Sequence, residues 1–309
     1  MLIKIPKGWE IPEREAVSEH VYWNRRELLK AAGFLGAAGL MRAATEGRSP
    51  YPAKRNPEFT LDRPITSEEA AEGYNNFYEF NQEDKEAVKN LVGPFKISPW
   101  QFEVTGLVNK PGKFDVDEIV RTMPLEERLY RHRCVEAWSM AVPWTGFPFS
   151  LLVKQVDPKP QAKFVRFVSV YRPKEMPGQV RYNYPWPYFE GLRMDEAMHP
   201  LCLMTTGLFG KPLPKQNGAP IRMVLPWKYG YKSPKSIVKI EFVAKAPPTF
   251  WNQIGPSEYG FYSNVNPTKP HPRWSQRTER FLPTMERRPT LMFNGYEQFV
   301  ANLYNGKEY

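Results

Sequence analysis

Proline limits this chain more than any other residue. There are 32 prolines among 309 residues, about twice the usual share of roughly 5%. Each fixes φ and removes a backbone donor, so long helices and wide central strands are interrupted at short intervals. With 16 Tyr, 19 Phe and 9 Trp, the composition predicts short strands joined by long ordered loops. Period-two alternation marks strands over Trp100–Val108, ending at the turn Asn109-Lys110-Pro111-Gly112, and over Phe164–Tyr171. Further strands are expected over Leu201–Thr206, Ile221–Leu225 and Ser236–Val243. Thr66-Ser67-Glu68-Glu69 reads as a capping box opening a short helix that ends at Gly73, and Asp115 as the cap of a helix from Val116 to Met123. An amphipathic helix is expected over Gly295–Tyr304. The class is α+β: a strand-dominated mixed domain with long loops, lacking the strand–helix alternation of a doubly wound sheet. No G-x-G-x-x-G or P-loop run supports a nucleotide site.

The first 44 residues read as an export signal. Asn24-Arg25-Arg26-Glu27-Leu28-Leu29-Lys30 precedes a short apolar stretch, Ala31 to Met41, and the small pair Ala43-Ala44. That is the layout of a twin-arginine signal, although Asn24 stands where Ser or Thr is usual and Leu28 where Phe is usual. The apolar stretch is about half of the roughly 20 residues a spanning helix needs. The implied compartment is the periplasm. The twin-arginine route carries folded proteins, which favours a cofactor inserted before export over disulfide chemistry. Residues 45–73 then read as a Pro-rich connector plus a short helix, and residues 74–309 as a single catalytic domain.

The formal net charge is +10, but Lys and Arg are dispersed without a run of five or six. Export also removes most nucleic-acid partners, so the excess is read as a basic surface plus one anion site. Cysteine is scarce: Cys134 and Cys202 are alone, and the four histidines are scattered. No spacing here builds a tetrahedral zinc site. A chemical cysteine would act as a lone thiolate, either a nucleophile or one soft ligand to a metal held mostly by something else. The two thiols could also pair, depending on a Cα separation that sequence does not give.

A family resemblance follows from particular residues. Arg133-Cys134-Val135-Glu136-Ala137-Trp138-Ser139-Met140 is joined by Val142-Pro143-Trp144 and Gly146-Phe147-Pro148. Tyr74-Asn75-Asn76-Phe77-Tyr78-Glu79-Phe80, Met176-Pro177-Gly178-Gln179, Glu190-Gly191-Leu192-Arg193, Gln216-Asn217-Gly218-Ala219-Pro220 and Pro226-Trp227-Lys228-Tyr229-Gly230 recur in order, as do Glu258–Tyr262 and His271–Gln276. In these runs the chain resembles the periplasmic protein-methionine-sulfoxide reductase catalytic subunits, molybdopterin enzymes related in fold to sulfite oxidases. The likeness covers essentially everything after residue 65.

The resemblance implies a sulfite-oxidase-like molybdopterin-binding fold and a Mo-molybdopterin cofactor. It makes Cys134 the one protein ligand to the metal, with Arg131 and Arg133 lowering its pKa if they point inward. The pterin's edges and phosphate fall to Asn75, Tyr78, Glu79, Ser169, Asn217, Arg222, Ser233, Pro234 and Lys235, with Arg222 and Lys235 as the phosphate cations. Ser169 stands where relatives commonly have Thr, and Ser233-Pro234 replaces a glycine-containing pair; Pro234 offers at most a carbonyl. Cys202 reads as core. The implied reaction is oxygen-atom transfer from oxidised methionine, leaving the thioether, in an open, aromatic-rimmed cleft. Glu136 is the candidate proton donor, sharing a face with Cys134 if the segment is a strand, or else a structural partner of Arg133 or another arginine. No haem, flavin or iron–sulfur motif is present, so a haem-binding membrane subunit oxidising quinols is implied as electron donor. Oxidised periplasmic proteins are the implied substrates, and nucleic acid is excluded. Sulfite oxidation, reduction of a small S- or N-oxide, or a metal-free exported binding protein are the rivals.

Overall fold

The computed structural model describes residues 49–305, so the export signal lies outside the described residues. From Pro50 onward the chain forms one compact unit. Five strands make a mixed sheet: β1 (Gln101–Gly106), β2 (Gly112–Asp115), β5 (Phe164–Ser169), β6 (Phe189–Arg193) and β10 (Ile237–Val243). Their order is β2-β1-β10-β5-β6, antiparallel except for β1 against β10. A second sheet holds β3 (Glu126–Arg133), β4 (Trp138–Pro148), β7 (Leu203–Leu208), β8 (Lys211–Pro212), β9 (Arg222–Val224), β11 (Thr278–Phe281) and β12 (Glu286–Pro289). One continuous cluster of buried apolar side chains draws on both sheets. Among the described residues, no helix is long and apolar enough to cross a membrane.

The alternating segments fold as strands. β5 buries every second residue, from Val165 to Ser169, and stops two residues before the expected end. Asp115 accepts from Glu118 N at 3.1 Å and caps the helix Val116–Thr122. Ser67 caps Glu68–Gly73 through Ala70 N, but no carboxylate reciprocates, because the third helical residue is alanine. Thr66 instead turns into the core, where its hydroxyl meets Leu282 O and Ala141 N.

One expectation fails. The C-terminal helix is broken into short turns, Met292–Gly295, Glu297–Val300 and Ala301–Leu303. Tertiary anchors override the periodicity: Tyr304 hydrogen-bonds Glu196 at 2.7 Å and Trp227 Nε1 at 2.9 Å, while Leu303 O accepts from Arg193. The long strand β4, for which the sequence raised no expectation, carries Pro143 in its middle. A strand residue's N–H and C=O point the same way, and Pro143 O accepts from Phe209 N on the β7 side. On that side β4 pairs with β11 at Trp138–Ser139 and with β7 only from Trp144. The missing N–H therefore falls opposite Phe209, one residue past the end of β7, so only a bond at the end of that ladder is forgone.

The connector is packed against the domain. Tyr51 bonds Thr206, Arg55 reaches Glu127 at 2.7 Å, and the Arg128 guanidinium lies 4.3 Å over the Phe59 ring.

Candidate active site

The β3–β4 hairpin sets the site. Its turn, Cys134 to Ala137, closes with Ala137 N donating to Cys134 O and Cys134 N to Trp138 O, and Ala137 takes φ +62°. Cys134 and Glu136 are therefore turn neighbours and not residues on one strand face. The turn lies in the wall of a cavity of about 660 Å³, within the usual range for a bound cofactor or ligand.

Cys134 Sγ accepts two N–H groups, from Glu136 N at 3.4 Å and Asn76 Nδ2 at 3.5 Å. Of the flanking arginines only Arg133 lowers its pKa, and burial outweighs it. Arg131 turns to Asp62 and Asn294 O; Arg133 is buried against Glu279, Gln276 and Thr290. Burial first, then the Glu136 charge, pushes the thiol up to about 12. A soft metal would displace that proton outright. Cys202 is wholly buried in the core, and both thiols are free. Among the described residues, no group of three His, Cys, Asp or Glu side chains is arranged to hold a metal.

Glu136 pairs with a lysine rather than an arginine. Lys85 Nζ sits 2.9 Å from it, and Tyr78 OH donates to it at 3.0 Å. Burial raises the Glu136 carboxyl, but the Lys85 bond and charge, helped by Asn76 and Tyr78, bring it below its ordinary value.

Two cations that line the cavity lie side by side. Arg222, at the start of β9, donates to Asn217 O at 2.7 Å; burial lowers its guanidinium to about 9. Lys235 donates to Asn76 O, and burial with the neighbouring Arg222 depresses its ammonium. Glu79 is the carboxylate nearby, raised by burial and pulled down by Lys235. Gly218 makes this approach possible: it takes φ +102°, and a Cβ there would lie 2.7 Å from Lys235 Cγ. Ser233 Oγ accepts from Leu225 N and Pro234 O from Met223 N, so this pair fastens β9 in place. Asn75 Oδ1 accepts from Asn217 Nδ2 at 3.1 Å, while Asn217 Oδ1 and Asn76 Oδ1 are buried without a partner. Two crowded cations and two orphaned amide oxygens fit a polar ring system ending in a phosphate dianion.

Ten of the eleven expected residues, Cys134, Glu136, Asn75, Tyr78, Glu79, Asn217, Arg222, Ser233, Pro234 and Lys235, line the cavity. Ser169 does not: it ends β5 with a buried, unpartnered hydroxyl, one residue removed from the wall through its N–H bond to Tyr188 O. His132 and Asn76 are among the wall residues that were missed. His132 is held neutral, its imidazole pushed down to about 3 by burial and then by Arg222 and Lys235. Reading β3 as a strand puts it on the Cys134 face. Asn76 was passed over for its neighbour Asn75. The lining also includes Tyr184, Trp251, Tyr259 and Trp274, with Trp251 packed 5.3 Å from Tyr78.

Residues 90–251 match the family described as "Oxidoreductase molybdopterin binding domain". The chain is 49% identical to the protein-methionine-sulfoxide reductase catalytic subunit of Ralstonia nicotianae, over 100% of this chain and 98% of that protein. It is 48% identical to the counterpart from Burkholderia mallei, over 97% and 95% respectively. The solved sulfane dehydrogenase SoxCD of Paracoccus pantotrophus gives a TM-score of 0.43 at 15% identity, covering 65% of this chain and 59% of that one. An oxidoreductase with a Mo-molybdopterin cofactor and an α+β domain accounts for the cavity and its cations. The chain belongs to the protein-methionine-sulfoxide reductase catalytic subunit family.

Proposed function

We propose that this protein reduces methionine sulfoxide within exported proteins to methionine, after twin-arginine export to the periplasm. The carrying observation is a lone thiol in the wall of a cavity of about 660 Å³ that is also lined by Arg222, Lys235 and several aromatic rings. Its near-full-length identity to named reductases supports the substrate, and Arg25-Arg26 with the apolar stretch after them supports the route.

In this reading Cys134 is the single protein ligand to molybdenum. Arg222 and Lys235 take the phosphate, and Asn75, Tyr78, Glu79, Asn217, Ser233 and Pro234 shape the walls around the pterin. Ser169 adds its unpartnered hydroxyl only from behind the wall. When bound, the cofactor supplies two-electron oxygen-atom acceptance. The balance is one sulfoxide, two electrons and two protons giving one thioether and one water. Tyr184, Trp251 and Trp274 accept the apolar stem of the substrate side chain. Glu136, a carboxylate kept ionised by Lys85 and Tyr78, is the proton relay, taking up a proton from water and passing it to the departing oxygen. Glu136→Gln is expected to lower turnover and change its pH profile; unchanged turnover at every pH removes Glu136 from the mechanism. The electrons come from a haem-binding membrane subunit that oxidises quinols, as the description of the relatives as catalytic subunits supports.

Sulfite oxidation is the second reading, favoured by three arginines, Arg273, Arg280 and Arg287, lining the cavity. Steady-state assays of the molybdenum-loaded protein separate the two. Reduction of protein-bound methionine sulfoxide without sulfite turnover is expected; sulfite turnover without sulfoxide reduction overturns the reading.

A further inference from the structure

The hairpin β11–β12 carries a pairing that the fold itself does not need. Arg280 and Arg287 lie directly opposite one another across the two strands. Side chains at such positions share a face, with Cβ atoms about 5 Å apart, and like charges there repel. Both residues are exposed and both line the mouth of the active-site cavity.

The carboxylates around the mouth are already engaged. Glu136 is held by Lys85 and Tyr78, Glu258 by Arg273 at 2.8 Å, and Glu286 by Arg288 at 2.9 Å. Glu279 is buried against Arg63 and Arg133. Arg280 donates only to a backbone oxygen, Glu136 O at 3.2 Å, and Arg287 has no carboxylate partner among the described residues. Two adjacent guanidiniums at the entrance thus lack a counter-charge.

A methionine sulfoxide reaching the cavity from a protein brings its neighbours to this entrance. Extended chain advances about 3.3 Å per residue, so positions one to three residues from the sulfoxide fall within reach of the pair. We propose that Arg280 and Arg287 form an anion-reading pair that selects methionine sulfoxide flanked by Asp or Glu. Guanidiniums suit this role, because their fork geometry matches carboxylates. The inference rests on the sulfoxide-reductase reading and names the protein substrates that reading favours.

The test uses the full, molybdenum-loaded protein with a chemically reduced viologen as electron donor. Two peptides identical except for Glu or Lys on both sides of one methionine sulfoxide are compared by kcat/KM. At low salt the acidic peptide is expected to win by about three- to tenfold, the size of a few exposed charge pairs. Near 1 M salt, where the screening length is about 3 Å, the ratio should approach one. The Arg280→Gln/Arg287→Gln pair should bring it towards one at low salt, and Arg287→Glu should shift it to the lysine peptide. Arg277→Gln, exposed beside the hairpin but outside the cavity lining, should leave the ratio as it is. Equal reduction of both peptides by the wild type overturns the inference, as does a preference that the variants leave untouched. Variants that change only turnover with a membrane electron donor overturn it too, by assigning the pair to that partner. Reduction of neither peptide is a separate outcome: it removes the sulfoxide-reductase reading, and the inference with it.

Discussion

Gly218→Ala probes the cation cradle through a single methyl group. At φ +102° the backbone lies in left-handed territory, where an L side chain costs about 1–2 kcal/mol. The added Cβ would sit 2.7 Å from Lys235 Cγ, 2.8 Å from Lys235 Cβ and 3.3 Å from Arg222 Cδ. Overpacking of that kind costs about 1–3 kcal/mol. Lys235 relieves part of it by moving, so the net loss is about 3 kcal/mol. At about 2–4 °C per kcal/mol for a chain of this size, Tm of the metal-free protein should fall by about 6–12 °C. The same movement pulls the ammonium off the phosphate position, so molybdenum content should fall as well. Differential scanning calorimetry and elemental analysis read the two effects separately. Gly73→Ala is the control, since nothing lies within 4 Å of its Cβ, and it should change neither. A Gly218→Ala protein with wild-type Tm and full molybdenum would refute the cradle argument.

Glu279→Gln should cost about 3–5 kcal/mol, because it leaves the Arg133 guanidinium buried without its counter-charge; urea unfolding of the metal-free chain checks this, and a loss under about 1 kcal/mol contradicts it. Lys235 gives a pH signature. Its ammonium is pushed down from an ordinary 10.5 to about 7 by burial and Arg222, so the folded chain binds fewer protons than the unfolded chain between those values. Stability of the metal-free protein relative to Lys235→Met should therefore rise with pH across that window. The cofactor's phosphate should flatten the rise by stabilising the charged form. A difference independent of pH would show that the lysine is not desolvated.

The alternating strands were legible because one-sided burial leaves a period of two, as β5 and β10 show. β4 was not legible: it is buried almost throughout, so it has no alternation, and Pro143 mimics a strand break. The broken C-terminal helix was invisible for the opposite reason. Its sequence is periodic, but the anchors that break it, Glu196, Trp227 and Arg193, come from distant parts of the chain. The site residues came from the family resemblance, and ten of them line one cavity. Their electrostatics were not legible. Adjacent arginines in the sequence suggested an acidic thiol at Cys134, yet strand geometry sends Arg131 and Arg133 to Asp62 and Glu279. Lys85, the cation that pairs with Glu136, comes from a loop about fifty residues away.

X-ray absorption at the molybdenum edge tests the account at its centre. Loaded wild type and Cys202→Ser should give the same sulfur shell, and loaded Cys134→Ser should show one sulfur neighbour fewer. An unchanged sulfur shell in Cys134→Ser, at full metal content, would contradict a thiolate bond from this chain to the metal.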